Sequence, residues 1–554
     1  MSKPSLLPVV ALLGGCVAIP PVERFSATPR PTEAVDAAPS PSVLPSGPQD
    51  GGASSPALPT CDDHRMVLSQ DFTKETLPTR DSHERGTPGV AAGDFTGDGW
   101  PDVLLAYGGG SVLFVNDGTG QLVDQADATL DGAPLPPGRA ASLADIDGDG
   151  DLDAFLALET EPSEQVIMRN DGAGQFTSMT VAGSEAMPWG ASLADLNGDG
   201  RVDMYIATHT ASHDYDGILS GETEGWGHGV YLQSEDGQFI KDEDALPESM
   251  LDSLSYQGAL VDYDNDGDMD IYLANDFGPW VEPNQLLMND GHGRFSVVND
   301  CACDLSMFAM GAAVGDPDND GDPDMYLSNV GSPVYLENMG DGSFVDATLA
   351  SGSWIEPTPM QMTSWATLFV DVDQDSCEDL FIVYGSTGGD SSFLQSIGDE
   401  DWTEEKKQTD VLLRGDCTGH FERAPESEFA DRSRARAAAT ADLNQDGRPD
   451  LITAGKHFMH VWLGEGGCES TLRVRLDGPT GNRLGLGARV QVTASGRTQT
   501  RWMTVDSTAS ASEPVLLVGL GNEDMAETVT VTWPDGFEQT LTDVSVDDEL
   551  VIRR

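Results

Sequence analysis

The sequence predicts an all-β protein, a seven-bladed β-propeller followed by a small β-sandwich-like domain, and three observations predict it. An acidic nonapeptide occurs seven times, its copies starting 51, 50, 67, 54, 55 and 71 residues apart. Each copy leads into a short strand-like run such as "VLLAYG", "AFLALE" or "IYLAND". A second apolar run then ends in hairpin punctuation and an aromatic, as in "VIMRNDGAGQF" and "LLMNDGHGRF". Periods of this size signal repeat architectures, and four short antiparallel strands per period make propeller blades rather than a solenoid.

Each repeat reads in the same order. Small and apolar residues come first ("GVAAGD", "AASLAD", "AMGAAVGD") and predict the opening strand of a blade. The acidic loop follows, then the second strand, a connection, the third strand, a tight turn and the fourth. On this reading residues 62–468 form one propeller.

The nonapeptides are "DFTGDGWPD" from Asp94, "DIDGDGDLD" from Asp145, "DLNGDGRVD" from Asp195, "DYDNDGDMD" from Asp262, "DPDNDGDPD" from Asp316, "DVDQDSCED" from Asp371 and "DLNQDGRPD" from Asp442. Oxygen ligands at alternate positions 1, 3 and 5, a glycine at position 6 and a carboxylate at position 9 suit a hard cation of Ca²⁺ size. An EF-hand begins with the same spacing but needs a glutamate at position 12. That position holds Leu105, Leu156, Ile206, Leu273, Leu327, Ile382 and Thr453, so these loops are not EF-hands.

The repeats resemble FG-GAP or VCBS repeats, the calcium-loop blades of integrin α-chain-like propellers. The resemblance implies up to seven Ca²⁺ sites. Asp94, Asp98 and Asp102 would serve the first blade, and Asp145, Asp147, Asp149 and Asp153 the second. Asp195, Asn197, Asp199 and Asp203 would serve the third, and Asp262, Asp264, Asp266 and Asp270 the fourth. Asp316, Asp318, Asp320 and Asp324 would serve the fifth, Asp371, Asp373, Asp375 and Asp379 the sixth, and Asp442, Asn444, Asp446 and Asp450 the seventh. Thr96 in the first copy and Ser376 in the sixth depart from the pattern, so those two loops are expected to be the weakest.

Formal charge is −65, from 94 acidic and 29 basic residues, which argues against nucleic acid or an anionic membrane surface as a partner. The N-terminus, "MSKPSLLPVVALLGGCVAIPP", resembles a bacterial lipoprotein signal, with Cys16 as the lipidated residue. Residues 17–61 hold ten prolines and much Ala and Ser, and are expected to be an extended tether. The expected location is therefore outside the cytoplasm, lipid-anchored at the outer membrane or cell surface. The anchor would be the only membrane contact, and the expected state is monomeric.

Six further cysteines, Cys61, Cys301, Cys303, Cys377, Cys417 and Cys468, suggest disulfides, although six allow fifteen connectivities. Cys377 and Cys417 fall on one rim of the sixth blade, while Cys61 and Cys468 flank the propeller. Cys301 and Cys303 then remain for each other.

In a four-strand meander the acidic loops and the hairpins share one face, and the second-to-third connections share the other. Long connections there carry His209, His213, Asp214, Asp216, Trp226 and His228 in blade three, and "GSTGGDSSFLQSIGDEDWTEEKKQTD" in blade six. Asn275, Asp276 and Trp280, with Trp189 and Trp354, are candidates for a ligand surface on that side. The histidines could bind a transition metal, but without fixed spacing such loop histidines are more often polar loop residues, and ordinary blade packing is the commoner role for any one of the tryptophans.

From about 470 the acidic repeats stop and short alternating strands follow. "GNRLGLGARVQV", "GLG" and "VTVTWPDG" resemble the ASPIC/UnbV domain at the C-terminus of cartilage acidic protein-like propellers, whereas "DSTASASEPVLL" departs from it. The function expected from all this is a calcium-binding, surface-anchored binding or adhesion module for an extracellular protein or glycan. The alternative is a calcium-dependent polysaccharide lyase or hydrolase. Against that alternative stands the lack of a nucleophile motif, zinc spacing or phosphate-binding loop, so no catalytic residue is assigned.

Overall fold

A computed structural model of the chain describes residues 62–73 and 88–554, apart from 159–163, 185–187, 210–217, 219–224, 226, 252, 356–361, 386–407, 426–427, 430, 432, 456–457, 469 and 547–548. Cys16, the tether and Cys61 lie outside the described residues. So do His213, Asp214, Asp216 and Trp226. Among the described residues no helix is long and apolar enough to cross a membrane.

The described chain is all-β. Seven sheets carry the repeats, and the opening strand of each is innermost: Gly89–Gly93, Gly138–Ala144, Pro188–Ala194, Ser255–Val261, Ala312–Gly315, Ser364–Val370 and Ala437–Ala441. Each of these strands neighbours the next, and Ala437–Ala441 neighbours Gly89–Gly93, so the seven sheets close a ring. Small residues dominate the innermost strands because seven backbones converge on one axis and leave little room for side chains. The seventh sheet is completed by the strand Asp62–Thr73, which pairs antiparallel with Phe458–Gly467 on its outer edge. The two ends of the propeller chain are thereby held in one sheet.

A latch joins consecutive blades, and the sequence hides it inside what looks like hairpin chemistry. Asn116, at the end of a third strand, donates from Nδ2 to Leu443 O of blade seven at 2.8 Å and to Pro101 O of its own loop at 3.1 Å. Asn170 reaches Phe95 O, Gln233 reaches Ile146 O, Asn289 reaches Leu196 O and Asn338 reaches Tyr263 O, each in the preceding blade. Gly415 and Gly464 stand at this position in blades six and seven, where a side-chain latch is impossible. Asn116→Ala leaves two buried carbonyls unpaired and should cost about 2 kcal/mol. Urea unfolding should show this as a lowered midpoint at constant m-value.

Behind the propeller, two small sheets form the C-terminal domain. One orders Leu516–Gly521, Ser470–Asp477 and Leu550–Arg553, and the other Arg497–Trp502, Arg489–Ala494, Met525–Thr532 and Glu538–Ser545. This domain is not simply appended. Asp506–Ser507 and Ser510–Ala511 form a hairpin that joins the first blade's sheet, with Ala511 paired in parallel to Ala91. Val90 N donates to Ser510 Oγ at 3.3 Å, Ala141 N to Ala509 O at 3.3 Å, and Thr508 Oγ1 to Gln257 Oε1 at 3.4 Å. The hairpin therefore fills the axial channel and touches blades one, two and four. Gly311 is required by this approach, since a Cβ there would collide with Thr508 Oγ1. The segment "DSTASASEPVLL", which departs from the resemblance, is thus the plug.

Candidate functional site

All seven acidic loops share one hydrogen-bond scaffold. The carboxylate at position 1 accepts the backbone N–H of position 6, at distances from 2.8 to 3.3 Å. The carboxylate at position 9 is buried and staples the loop to the third strand. Its Oδ1 accepts from Asn116, Asn170, Gln233, Asn289, Asn338, Gly415 and Gly464 N–H in the successive blades. Its Oδ2 accepts the N–H of position 2 in six loops. In the fifth, position 2 is Pro317, which has no N–H. The Tyr335 hydroxyl takes its place and donates to Asp324 Oδ2 at 2.5 Å.

Burial and neighbouring carboxylates push these acids up. Asp102 and Asp153 rise to about 7, and Asp203 and Asp270 to about 8, with desolvation the leading cause in each. Asp145 and Asp262 rise to about 6, and Asp316 to about 7, again chiefly through burial. Such groups need a cation, or a proton, to remain buried.

Four loops bring three carboxylates together with one oxygen of each within 4.8 Å of the others: Asp145, Asp147 and Asp153; Asp262, Asp264 and Asp270; Asp316, Asp318 and Asp320; Asp371, Asp373 and Asp379. Oxygen donors gathered in this way suit Ca²⁺, which takes six to eight oxygen ligands at about 2.3–2.6 Å, wherever no side-chain cation already stands among them. The first, third and seventh loops are not gathered this way among the described residues. In the first, Thr96 donates from Oγ1 to Asp102 Oδ2 at 3.1 Å, while Asp94 accepts the loop N–H groups of Asp98 and Gly99. In the third, Asp199 Oδ2 is drawn to Arg201 Nη2 at 2.5 Å, near Asn197 and Asp203. In the seventh, Asn444 Nδ2 donates to Asp446 Oδ2 at 3.2 Å and Asp450 keeps its stapling role. Ser376 does not break the sixth loop. It adopts φ of 81°, as a glycine would, and its N–H still reaches Asp371 Oδ2 at 3.0 Å. The fourth carboxylates, Asp149 and Asp266, accept the N–H two residues on at 3.0 Å, and Asp375 does so at 2.9 Å.

The loop face is not open. The C-terminal domain sits on it and places arginines against the loops. Arg473 pairs with Asp442, and Arg483 Nε lies 3.7 Å from Asp145 Oδ2. Arg501 Nε lies 3.1 Å from Glu378 Oε1, and Glu378 Oε2 accepts the N–H of Asp316 at 2.7 Å. Glu513, on the plug segment, does the same for the N–H of Asp442 at 2.9 Å. Beside the plug remains a cavity of about 170 Å³ lined in part by Gln257, Thr367, Glu378, Arg501 and Glu513. Position 8 of the sixth loop, Glu378, had no role in the sequence reading, because its partners come from another blade and another domain.

Disulfides join Cys301 to Cys303 and Cys377 to Cys417. Cys468 is also disulfide-bonded, and strand register sets its neighbour Gly467 opposite Asp62.

On the opposite face, Trp189, Tyr256 and Trp365 meet edge to face at 4.6 and 5.9 Å, so blades three, four and six touch across the channel mouth. Arg139 lies over Trp189 at 4.8 Å and Arg436 over Trp365 at 4.6 Å. His209 contacts Asp276 at 3.3 Å within this aromatic cluster, and Asn275 is buried beneath it, accepting from Ser255. Trp280 is 44% exposed and packs on Phe308. Trp354 is also exposed. His228 is a core residue: its Nδ1 accepts from Thr208 N at 3.2 Å, its Nε2 lies 2.7 Å from Ser253 O, and burial lowers it to about 4.

Family models agree with this architecture. An FG-GAP-like repeat model matches residues 94–156, 145–206 and 262–327, and an ASPIC and UnbV model matches 478–554. The chain carries FG-GAP-like repeats and an ASPIC and UnbV domain. Cartilage acidic protein 1 of Mus musculus is 25% identical over 281 residues, 48% of this chain and 40% of that protein. The Homo sapiens protein of the same name is likewise 25% identical over 281 residues, 39% of its length. The chain thus spans well under half of the curated relatives it matches. Among solved structures, an Agrocybe aegerita lectin that recognises non-reducing terminal N-acetylglucosamine aligns at TM-score 0.40 and 17% identity, over 62% of this chain and 81% of that one. The V. cholerae biofilm matrix protein Bap1 aligns at TM-score 0.30 and 13% identity, over 87% of this chain and 76% of that one. Both likenesses are weak. The FG-GAP-like matches contain the first five acidic loops and end at Leu327, ahead of the sixth.

Proposed function

We propose that this protein is an exported, calcium-binding β-propeller that serves as a non-catalytic binding module for an extracellular protein or glycan, held at a membrane by its N-terminal lipid anchor. The observation that carries the calcium reading is the fourth loop. Asp262, Asp264 and Asp270 converge within 4.8 Å, and burial raises Asp262 and Asp270. Among the described residues no ion pair joins an arginine or lysine to any of the three carboxylates. A dissolved divalent cation is the natural counterpart. Export is supported by the disulfides, which form and persist in oxidising compartments.

The ligand face is the one opposite the loops, since the C-terminal domain occupies the loop side. Trp280 and its aromatic neighbours offer the flat, amphipathic surface that sugars and protein side chains stack on. Glycan and protein arrays probed with the calcium-loaded protein should give binding that a chelator abolishes and Trp280→Ala weakens at least tenfold. Binding insensitive to both changes would sink this reading.

A further inference from the structure

We infer that the sixth acidic loop holds the Arg414 guanidinium in the place where the other loops hold an ion from solution. The inference rests on the calcium reading of those other loops. Arg414 lies on the third strand of blade six, Val411–Gly415, one residue before the position that staples to Asp379. Its Nη1 is 2.7 Å from Asp379 Oδ2 and 3.4 Å from Asp373 Oδ2. Those two carboxylates and Asp371 are the gathered set of this loop. A calcium ion bound to both would need oxygens at about 2.3–2.6 Å, which puts it against the guanidinium nitrogen with nothing between two positive charges. One cation or the other can be held, and the arginine is covalently present.

The arginine is itself fixed from the far side. Glu428 Oε2 accepts from its Nε at 3.0 Å and its Nη2 at 2.8 Å. His64 Nδ1, on the strand that completes blade seven, lies 2.6 Å from the same Nη2. Burial first, and then Arg414, lower His64 to about 3, so its ring is neutral and able to accept. The side chain is only 17% exposed. Nearby Asp375 also feels Arg497, a second guanidinium that lies 3.0 Å from Cys417 Sγ.

The equivalent third-strand residue differs from blade to blade, and the difference is systematic. It is Val115, Leu232, Met288 and Leu463 in the first, third, fourth and seventh blades, which leave the loop's charge alone. In the second it is Arg169, 42% exposed and 3.8 Å from Asp147 only, at the loop's outer edge. In the fifth it is Glu337, whose charge raises Asp318 and adds to the loop's demand for a cation. Among the residues at this register position, Arg414 is the one that brings a guanidinium nitrogen to two carboxylates of its own loop's gathered set.

The test counts bound calcium by equilibrium dialysis and mass spectrometry on the whole chain, with folding checked by circular dichroism. Arg414→Met should bind one ion more than the parent protein, and should regain in calcium the thermal stability it loses in chelator. Glu337→Arg, a change on a half-buried strand position in a loop that lacks an arginine, should bind one ion fewer. Unchanged counts in folded Arg414→Met, or in Glu337→Arg should Arg414→Met not fold, would overturn the inference while leaving the calcium reading intact. A parent protein that binds no calcium at all would instead remove the calcium reading, and this inference with it.

Discussion

Stripping calcium should lower the thermal midpoint of the protein by several degrees, since a withdrawn binding energy of several kcal/mol is divided by an unfolding entropy of about 2.1 cal/mol/K per residue. Each occupied loop at a free calcium concentration tenfold above its Kd adds about 1.4 kcal/mol, so the second, fourth and fifth loops together add about 4 kcal/mol, against a total stability of about 5–15. The chelated protein should also respond to pH in a definite direction. Asp203 and Asp270, raised by burial to about 8 when folded, bind a proton more tightly in the native state than in the unfolded chain. Between their ordinary value of 3.8 and about 8, the metal-free native state therefore gains stability as pH falls and loses it as pH rises. With calcium bound the carboxylate form is favoured and that slope should flatten or reverse. Differential scanning calorimetry at pH 5.5 and 8, with calcium and with chelator, separates these cases. Four superimposable transitions would mean that the loops are solvated turns.

Arg501→Met should cost about 3–5 kcal/mol, the amount lost when one partner of a buried ion pair is removed and the other charge stays behind. Glu378 is the charge left behind: it is 4% exposed, lies 3.1 Å from Arg501 Nε, and is tied to the backbone of Asp316. Arg501 also lowers Asp316 and Asp371, so its loss reaches the fifth and sixth loops together. The double variant Arg501→Met with Glu378→Gln should be more stable than the single Arg501 variant, because the unpaired charge is gone. Chemical denaturation of both variants in saturating calcium measures this. A loss below about 1 kcal/mol for the single variant would place the pair with ordinary surface bridges. It would also mean that the C-terminal domain is held to the propeller by the plug and by Arg473 rather than by Arg501.

What the chain determined by itself is local and periodic. Seven nonapeptides with fixed offsets, small residues ahead of them and hairpin turns behind them write the blade seven times, and the carboxylates at positions 1 and 9 are legible because each accepts backbone N–H groups at a fixed place in every copy. The pairing of Asp102, Asp153 and their equivalents with backbone N–H groups follows from that same local geometry. Tertiary structure decided everything that joins distant segments. The plug at Thr508 and Ala509 has no signature beyond small residues, since its partners are Gln257, Gly311 and Gly89, brought together only when the ring closes. The latch at Asn116 is invisible for the same reason, its acceptor Leu443 O being 327 residues away. Ser376 drew attention as a missing glycine, yet the loop tolerates it. What sets the sixth loop apart is Arg414, 35 residues from Asp379 and one strand away, because electrostatic neutrality in a buried site is a property of the assembled neighbourhood and not of the motif.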